Sequence, residues 1–224
     1  IPQEYFAEGI DARMAKTVRE AISTLEKLGA EIIEVTMPHT EYALAAYYII
    51  GPAEVSSNMA RYDGVSYGLR ADGEDIVSMY KNTRSTALGK EVQRRIMLGT
   101  YVLSSGYYDA YYNKALKVRT LVKRDFEQAF EKVDILATPT TPAPAFKFGA
   151  KSADPMAMYM DVCTVPVNLA GVPAISLPCG FIDNMPVGLQ LIGKALGEAD
   201  LLRAAYTFEQ NTEYHKRIAP LGGR

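Results

Sequence analysis

The sequence predicts an α/β fold, a mixed β-sheet flanked by helices on both faces, and three observations predict it. Met14, Val18, Ile22, Leu25 and Leu28 recur at three- and four-residue steps between Asp11, a plausible N-cap, and Gly29, a helix stop. The run Glu31–Met37 follows, rich in β-branched residues and closed by Pro38, so that helix and strand form one unit. Two further apolar runs, Pro173–Cys179 and Pro186–Ile192, are joined across Asp183-Asn184 as a hairpin, which an all-parallel sheet would not contain.

The remaining elements follow in order. Thr40 is read as the cap of a second helix running to about Arg61, and Tyr62–Gly68, with two glycines and an Asp, is a loop. Helices are expected at about Glu74 to Thr86 and Gly89 to Leu103, with Ser104-Ser105-Gly106 turning into a long third helix. Tyr108, Tyr112, Ala115, Leu116, Arg119, Val122, Phe126 and Phe130 trace one face of it, and Lys114, Lys117, Lys123 and Arg124 form a solvated flank. Val133–Ala137 reads as a strand that ends in the proline-stiffened loop Thr138–Pro144, and Ala199 to Gln210 as a closing helix. No repeat, low-complexity tract or interior linker divides the 224 residues.

Composition narrows the function. Hydrophobic residues make up 48% and charged ones 22%, so a globular core is expected rather than disorder. With 24 Lys and Arg against 26 Asp and Glu, the net charge of −2 provides no field for unaided nucleic-acid binding. Two cysteines, neither in a CxxC nor a Cys/His cluster, exclude a disulfide scaffold and a structural zinc site, and a cytoplasmic setting is expected. Cys163 and Cys179 sit in apolar surroundings and read as buried small hydrophobes. His39 and His215 have no Ser, Cys or carboxylate at catalytic-motif spacing, and no GxSxG elbow is present, which disfavours Ser-His-Asp chemistry. No apolar run reaches the ~20 residues of a membrane helix.

The segments Ala170–Gly180 and Pro186–Gly193 together closely resemble the C-terminal hallmark of the amidase signature family. Gly89–Gly99, Ser104–Tyr112, Ala60–Gly64 and Tyr67-Gly68 resemble one branch of it, the glutaminase subunits of tRNA-dependent amidotransferases, and the match runs from about Pro2 to Leu221. The resemblance implies that residues 1–224 are the C-terminal half of a single amidase domain. It implies hydrolysis of glutamine by a Ser-(cis-Ser)-Lys triad, with the released ammonia amidating a misacylated Glu-tRNA(Gln) or Asp-tRNA(Asn). The triad's Gly/Ser-rich loop and lysine belong to the family's first half and match nothing here. The chain is therefore expected to hold no catalytic residue and to be inert alone. The implied partners are subunits B and C, glutamine, and misacylated tRNA through the complex. ATP and Mg are expected in the partner, with no cofactor in this chain.

Glutamine carries an α-carboxylate and an α-ammonium, so a selective pocket needs a fixed cation and a fixed anion. A guanidinium holds a carboxylate bidentately, and each charge-assisted bond contributes roughly 1.5–3 kcal/mol. The resemblance points to Arg95 for the carboxylate, with Arg94 the neighbouring alternative, and to Asp161 for the ammonium, with a helix N-cap as the competing role. It points to Tyr47 for the pocket wall, with Tyr48 as its alternative. Two other readings stay open: the C-terminal half of a stand-alone amidase, which has no zwitterion to hold, and a non-enzymatic interaction module.

Overall fold

The computed structural model describes residues 1–150 and 159–219. In chain order the main elements are α1 (Ala12–Lys27), α2 (Ala43–Met59), α3 (Ile76–Ala87), α4 (Lys90–Leu103), α5 (Lys114–Phe130), β1 (Ile135–Pro139), α6 (Val165–Ala170), β2 (Ala174–Ile182), β3 (Met185–Gly193) and α7 (Glu198–Gln210). They fall into two compact units. One comprises Ile1–Leu44 with Arg119–Arg224, and the other comprises Ala45–Val118.

The first unit carries the sheet, ordered β1-β3-β2. Both pairings are antiparallel, and the hairpin β2–β3 runs from Ile182 opposite Met185 to Ala174 opposite Ile192. Asp183 and Asn184 turn it with φ of 50° and 66°, the left-handed geometry that suits the twist of a two-residue hairpin. The period of two along β3 puts Val187, Leu189 and Leu191 on one face, packed with Leu177 and Cys179 against Met14, Val18 and Ile22 of α1 and Leu201, Ala205 and Phe208 of α7. Leu136, Thr138, Gln190 and Ile192 point to the opposite face and are also buried.

Helix α1 is capped as its sequence predicts, the Asp11 carboxylate accepting the backbone N–H of Arg13 at 2.7 Å. Gly29, at φ 104°, ends it. Leu28 departs from the expected face and is 40% exposed, because the helix closes at Lys27 and Leu28 is already its C-cap.

The expected strand Glu31–Met37 is reduced to a single parallel bridge between Val35 and Pro2. Val35 N–H donates to Ile1 O at 2.9 Å and Gln3 N–H to Val35 O at 3.0 Å. A β-branched run becomes a strand only where a neighbour meets its backbone groups over several residues, and among the described residues the short Ile1–Gln3 segment meets only those of Ile33, through the Ile1 amino group at 2.6 Å, and of Val35. The strand expected at Val133–Ala137 lies two residues later, at Ile135–Pro139. It tolerates Pro139 at its end because β1 is an edge strand.

In the second unit, α3 begins with a capping box between Asp75 and Ser78. The Tyr62–Gly68 loop is shaped by Asp63, whose carboxylate accepts the N–H groups of Val65 at 2.8 Å and Ser66 at 2.9 Å. Ser104-Ser105-Gly106 is the helix-to-helix turn expected of it, with Gly106 at φ 90°. It leads through a π-helical segment, Tyr108–Asn113, into α5. Thr40 caps nothing: its hydroxyl donates back to Met37 O at 2.7 Å, and a 3-10 turn, Thr40–Tyr42, precedes α2. The basic flank of α5 is solvated, and Ala115, Val122 and Phe126 of the expected face are buried, whereas Arg119 on it and Tyr108 in the π-helical segment before it are exposed.

Candidate functional site

Adjacent arginines on α4 have different surroundings. A helix rotates each successive side chain by roughly 100°, so neighbours cannot share an environment. Arg94 projects outward, 51% exposed, and grips Glu91 with two bonds, Nε to Oε2 at 2.8 Å and Nη2 to Oε1 at 2.7 Å. Arg95 is 28% exposed and reaches Glu91 through Nε at 2.9 Å. The Glu91 carboxylate first and the Tyr47 side chain after it favour the charged form of Arg95, whose guanidinium carbon lies 6.0 Å from the Tyr48 ring centroid. The two tyrosine rings meet edge-on at 5.4 Å. Both arginines hold the Glu91 carboxyl down at about 2, chiefly through their hydrogen bonds. One half-buried cation is thus set against two aromatic walls, with its carboxylate partner on the preceding turn.

Asp161 belongs to the other unit, is exposed, and lies three residues before Thr164. Thr164, not Asp161, occupies the N-cap position of α6. Thr164 closes a tight turn on Asp161, its N–H and hydroxyl donating to the Asp161 backbone carbonyl at 3.0 and 3.2 Å. The helix-cap role weighed for the Asp161 side chain is therefore displaced by one turn of chain. Met156 and Met158, which precede it in an apolar cluster, lie outside the described residues.

Both cysteines are buried, and desolvation pushes each thiol up to about 12, which leaves them protonated and poor nucleophiles. No group of three or more His, Cys, Asp or Glu among the described residues could hold a metal ion. No helix among them is long and apolar enough to cross a membrane.

The fold makes one pair that sequence spacing could not show. His39 Nδ1 lies 2.8 Å from Oδ1 of the buried Asp125, and His39 N–H donates to Oδ2 at 2.7 Å. The residues are 86 positions apart. Because the carboxylate takes both the ring and the backbone of one residue, it clamps the turn before α2 onto α5, and among the described residues no hydroxyl or thiol bonds this ring in the manner of a catalytic triad.

The profile of the Amidase family matches residues 1–202. A protein of Moorella thermoacetica, named as the A subunit of glutamyl-tRNA(Gln) amidotransferase, is 65% identical over 223 residues, 99% of this chain and 46% of that protein. One of the same name from Geobacillus thermodenitrificans is 58% identical over 97% of this chain and 45% of its own length. The chain thus spans about half the length of the curated relatives it matches. The crystal structure of the corresponding glutamyl-tRNA(Gln) amidotransferase polypeptide from Thermotoga maritima superimposes with a TM-score of 0.71 at 40% identity, over 95% of this chain and 42% of that one. A bacterial aryl acylamidase of the amidase signature group, 17% identical over 95% of this chain and 43% of its own, shares the fold at a TM-score of 0.69. On the arrangement of its sheet and helices and on the span of the family match, this chain belongs to the amidase family.

Proposed function

We propose that this chain is the glutamine-binding half of the glutaminase component of a tRNA-dependent amidotransferase. In this reading the complete protein hydrolyses glutamine, and the ammonia converts misacylated Glu-tRNA(Gln) or Asp-tRNA(Asn) to the correct product. The observation that carries the reading is Arg95, held half-buried between Glu91, Tyr47 and Tyr48 while Arg94 beside it faces solvent. A fixed, partly desolvated guanidinium at an aromatic wall suits a small carboxylate, which a simple amide lacks. The names of the relatives support the same reading.

Arg95 holds the α-carboxylate, Asp161 the α-ammonium, and Tyr47, whose side chain favours the charged form of Arg95, forms the pocket wall. The triad is supplied by the family's other half, and the complex includes subunits B and C in the cytoplasm. ATP and Mg are used in the partner, and this chain needs no cofactor of its own.

The test compares two nitrogen donors in the full-length enzyme with its partner subunits. Arg95→Lys keeps the charge and loses the fork, and Asp161→Asn keeps the shape and loses the charge. Both should cut kcat/KM for glutamine by about tenfold or more, as expected when a charge-assisted bond is lost, while ammonia-dependent amidation persists. If glutamine- and ammonia-dependent activities fall together, both residues are structural and the reading fails. The 224-residue chain alone should release no ammonia from glutamine, and reproducible turnover by it would place the nucleophile within these residues.

A further inference from the structure

Gln190 sits at the middle of the central strand, opposite Thr138 of β1 on one side and Ser176 of β2 on the other. Its side chain lies on the sheet face away from α1 and α7 and is 4% exposed. The amide nitrogen donates to Thr138 Oγ1 at 2.9 Å and to the backbone carbonyl of Cys163 at 3.0 Å. Its two N–H groups thus meet two acceptors, and the Cys163 carbonyl fixes which way the amide points, since a carbonyl can only accept. Cys163 is itself buried, and it lies inside the turn that Thr164 closes on Asp161. Val162 N–H donates to Tyr159 O at 3.1 Å, so the backbone from 159 to 164 is locally wound, and Gln190 ties it to the sheet.

We infer that Gln190 is a positioning residue for glutamine binding: its buried amide holds the Cys163 carbonyl, and with it the turn that presents Asp161, at a set height above β3. The inference rests on the proposed role of Asp161. Gln190 touches no substrate in it. It acts by keeping a carboxylate two residues from its anchor in one place, and a binding carboxylate on an untethered turn must be ordered anew each time substrate arrives.

The test uses the full-length enzyme with its partner subunits and measures KM and kcat for glutamine, ammonia-dependent amidation and the thermal midpoint. Gln190→Glu keeps the size and turns the donor into an acceptor facing a carbonyl, and Gln190→Met keeps the length with no donor and serves if the charged variant does not fold. Either should raise the KM for glutamine about tenfold, the equivalent of one lost charge-assisted contact, with kcat within about twofold and ammonia-dependent activity intact. Ser176→Ala, which removes a β2 hydroxyl bonded to Thr140 just beyond the end of β1, should leave KM unchanged. Asp161→Asn is measured beside them. If it raises KM and the Gln190 variants do not, the positioning inference is wrong and the pocket stands. If Asp161→Asn leaves KM unchanged, both fall. If kcat with glutamine and ammonia-dependent activity fall together in the Gln190 variants, whatever KM does, Gln190 is a fold residue and the inference is overturned.

Discussion

Gly99 lies so close to Pro52 that a Cβ built on it would stand 1.9 Å from the Pro52 carbonyl oxygen and 2.7 Å from the Cβ of Ser56. Helices α2 and α4 therefore touch backbone to backbone at this point, and Ser56 Oγ and Thr100 Oγ1 bond across the same contact at 2.9 Å. Gly99 follows Arg95 by one turn on α4, and Pro52 follows Tyr47 by a little more than one turn on α2. The close approach is what lets Arg95 reach Tyr47. Gly99→Ala should push the helices apart, costing about 1–3 kcal/mol as overpacking against rigid backbone does, although alanine favours a helix over glycine by about 1 kcal/mol. A lower thermal midpoint together with a raised KM for glutamine is the expected result; a midpoint at or above that of the parent would show that the contact can relax.

Glu91 couples the two arginines to acid pH. Its carboxyl, ordinarily near 4.5, is held at about 2 by the hydrogen bonds from Arg94 and Arg95. A depressed carboxyl stabilises the folded state above its unfolded value, and that contribution is lost as pH falls from about 4.5 towards 2. The carboxylate is more than half exposed, so the effect is screened by water and salt and should be small. Glu91→Gln should flatten the acid limb of the stability curve of the full-length protein over that window and change little at pH 7 beyond the loss of one surface ion-pair cluster. An unchanged acid limb would show that the pairs do not persist in solution.

The thiols act at the other end of the pH scale. Burial raises Cys163 and Cys179 to about 12 from an ordinary value of 9. Between those values the unfolded chain releases thiol protons that the folded one keeps, so stability falls as pH rises through the window. A Cys163→Ala, Cys179→Ala double variant should lose that alkaline dependence, and the native protein should react with a thiol reagent only as fast as it opens. Immediate labelling of either cysteine at neutral pH would contradict the burial.

Much of this was legible in the sequence, where the determining information is local. Asp11 and the three- and four-residue apolar steps specify α1, and Asp183-Asn184 between two apolar runs specifies the hairpin. The failures share a cause. Whether residues 31–37 pair depends on what chain lies beside them, and the single bridge at Val35 is a tertiary outcome. Arg94 and Arg95 are indistinguishable by composition and separate only when α4 is set against α2. The His39–Asp125 clamp and the Gln190–Cys163 tie span 86 and 27 residues and leave no spacing signature. Gly99 did leave a trace: an isolated glycine in the helical run Ile96-Met97-Leu98-Gly99 signals a packing requirement.

The hairpin turn offers a prediction independent of glutamine. Asn184, at φ 66°, is in the left-handed region that asparagine tolerates and β-branched residues resist. Its side-chain carbonyl also accepts a bond from Arg217 at 2.5 Å, and the Arg217 guanidinium carbon lies 4.1 Å from the ring centroid of Phe181 on β2. Asn184→Gly relieves the backbone and loses the arginine bond, an exposed contact, so the two effects should nearly cancel. Asn184→Val keeps neither advantage and should cost about 1–2 kcal/mol, the penalty of forcing a side chain into that region. Equilibrium unfolding of the full-length protein distinguishes the two, with valine well below the parent and glycine close to it. Equal losses in both would assign the turn's stability to the Arg217 bond rather than to its backbone geometry.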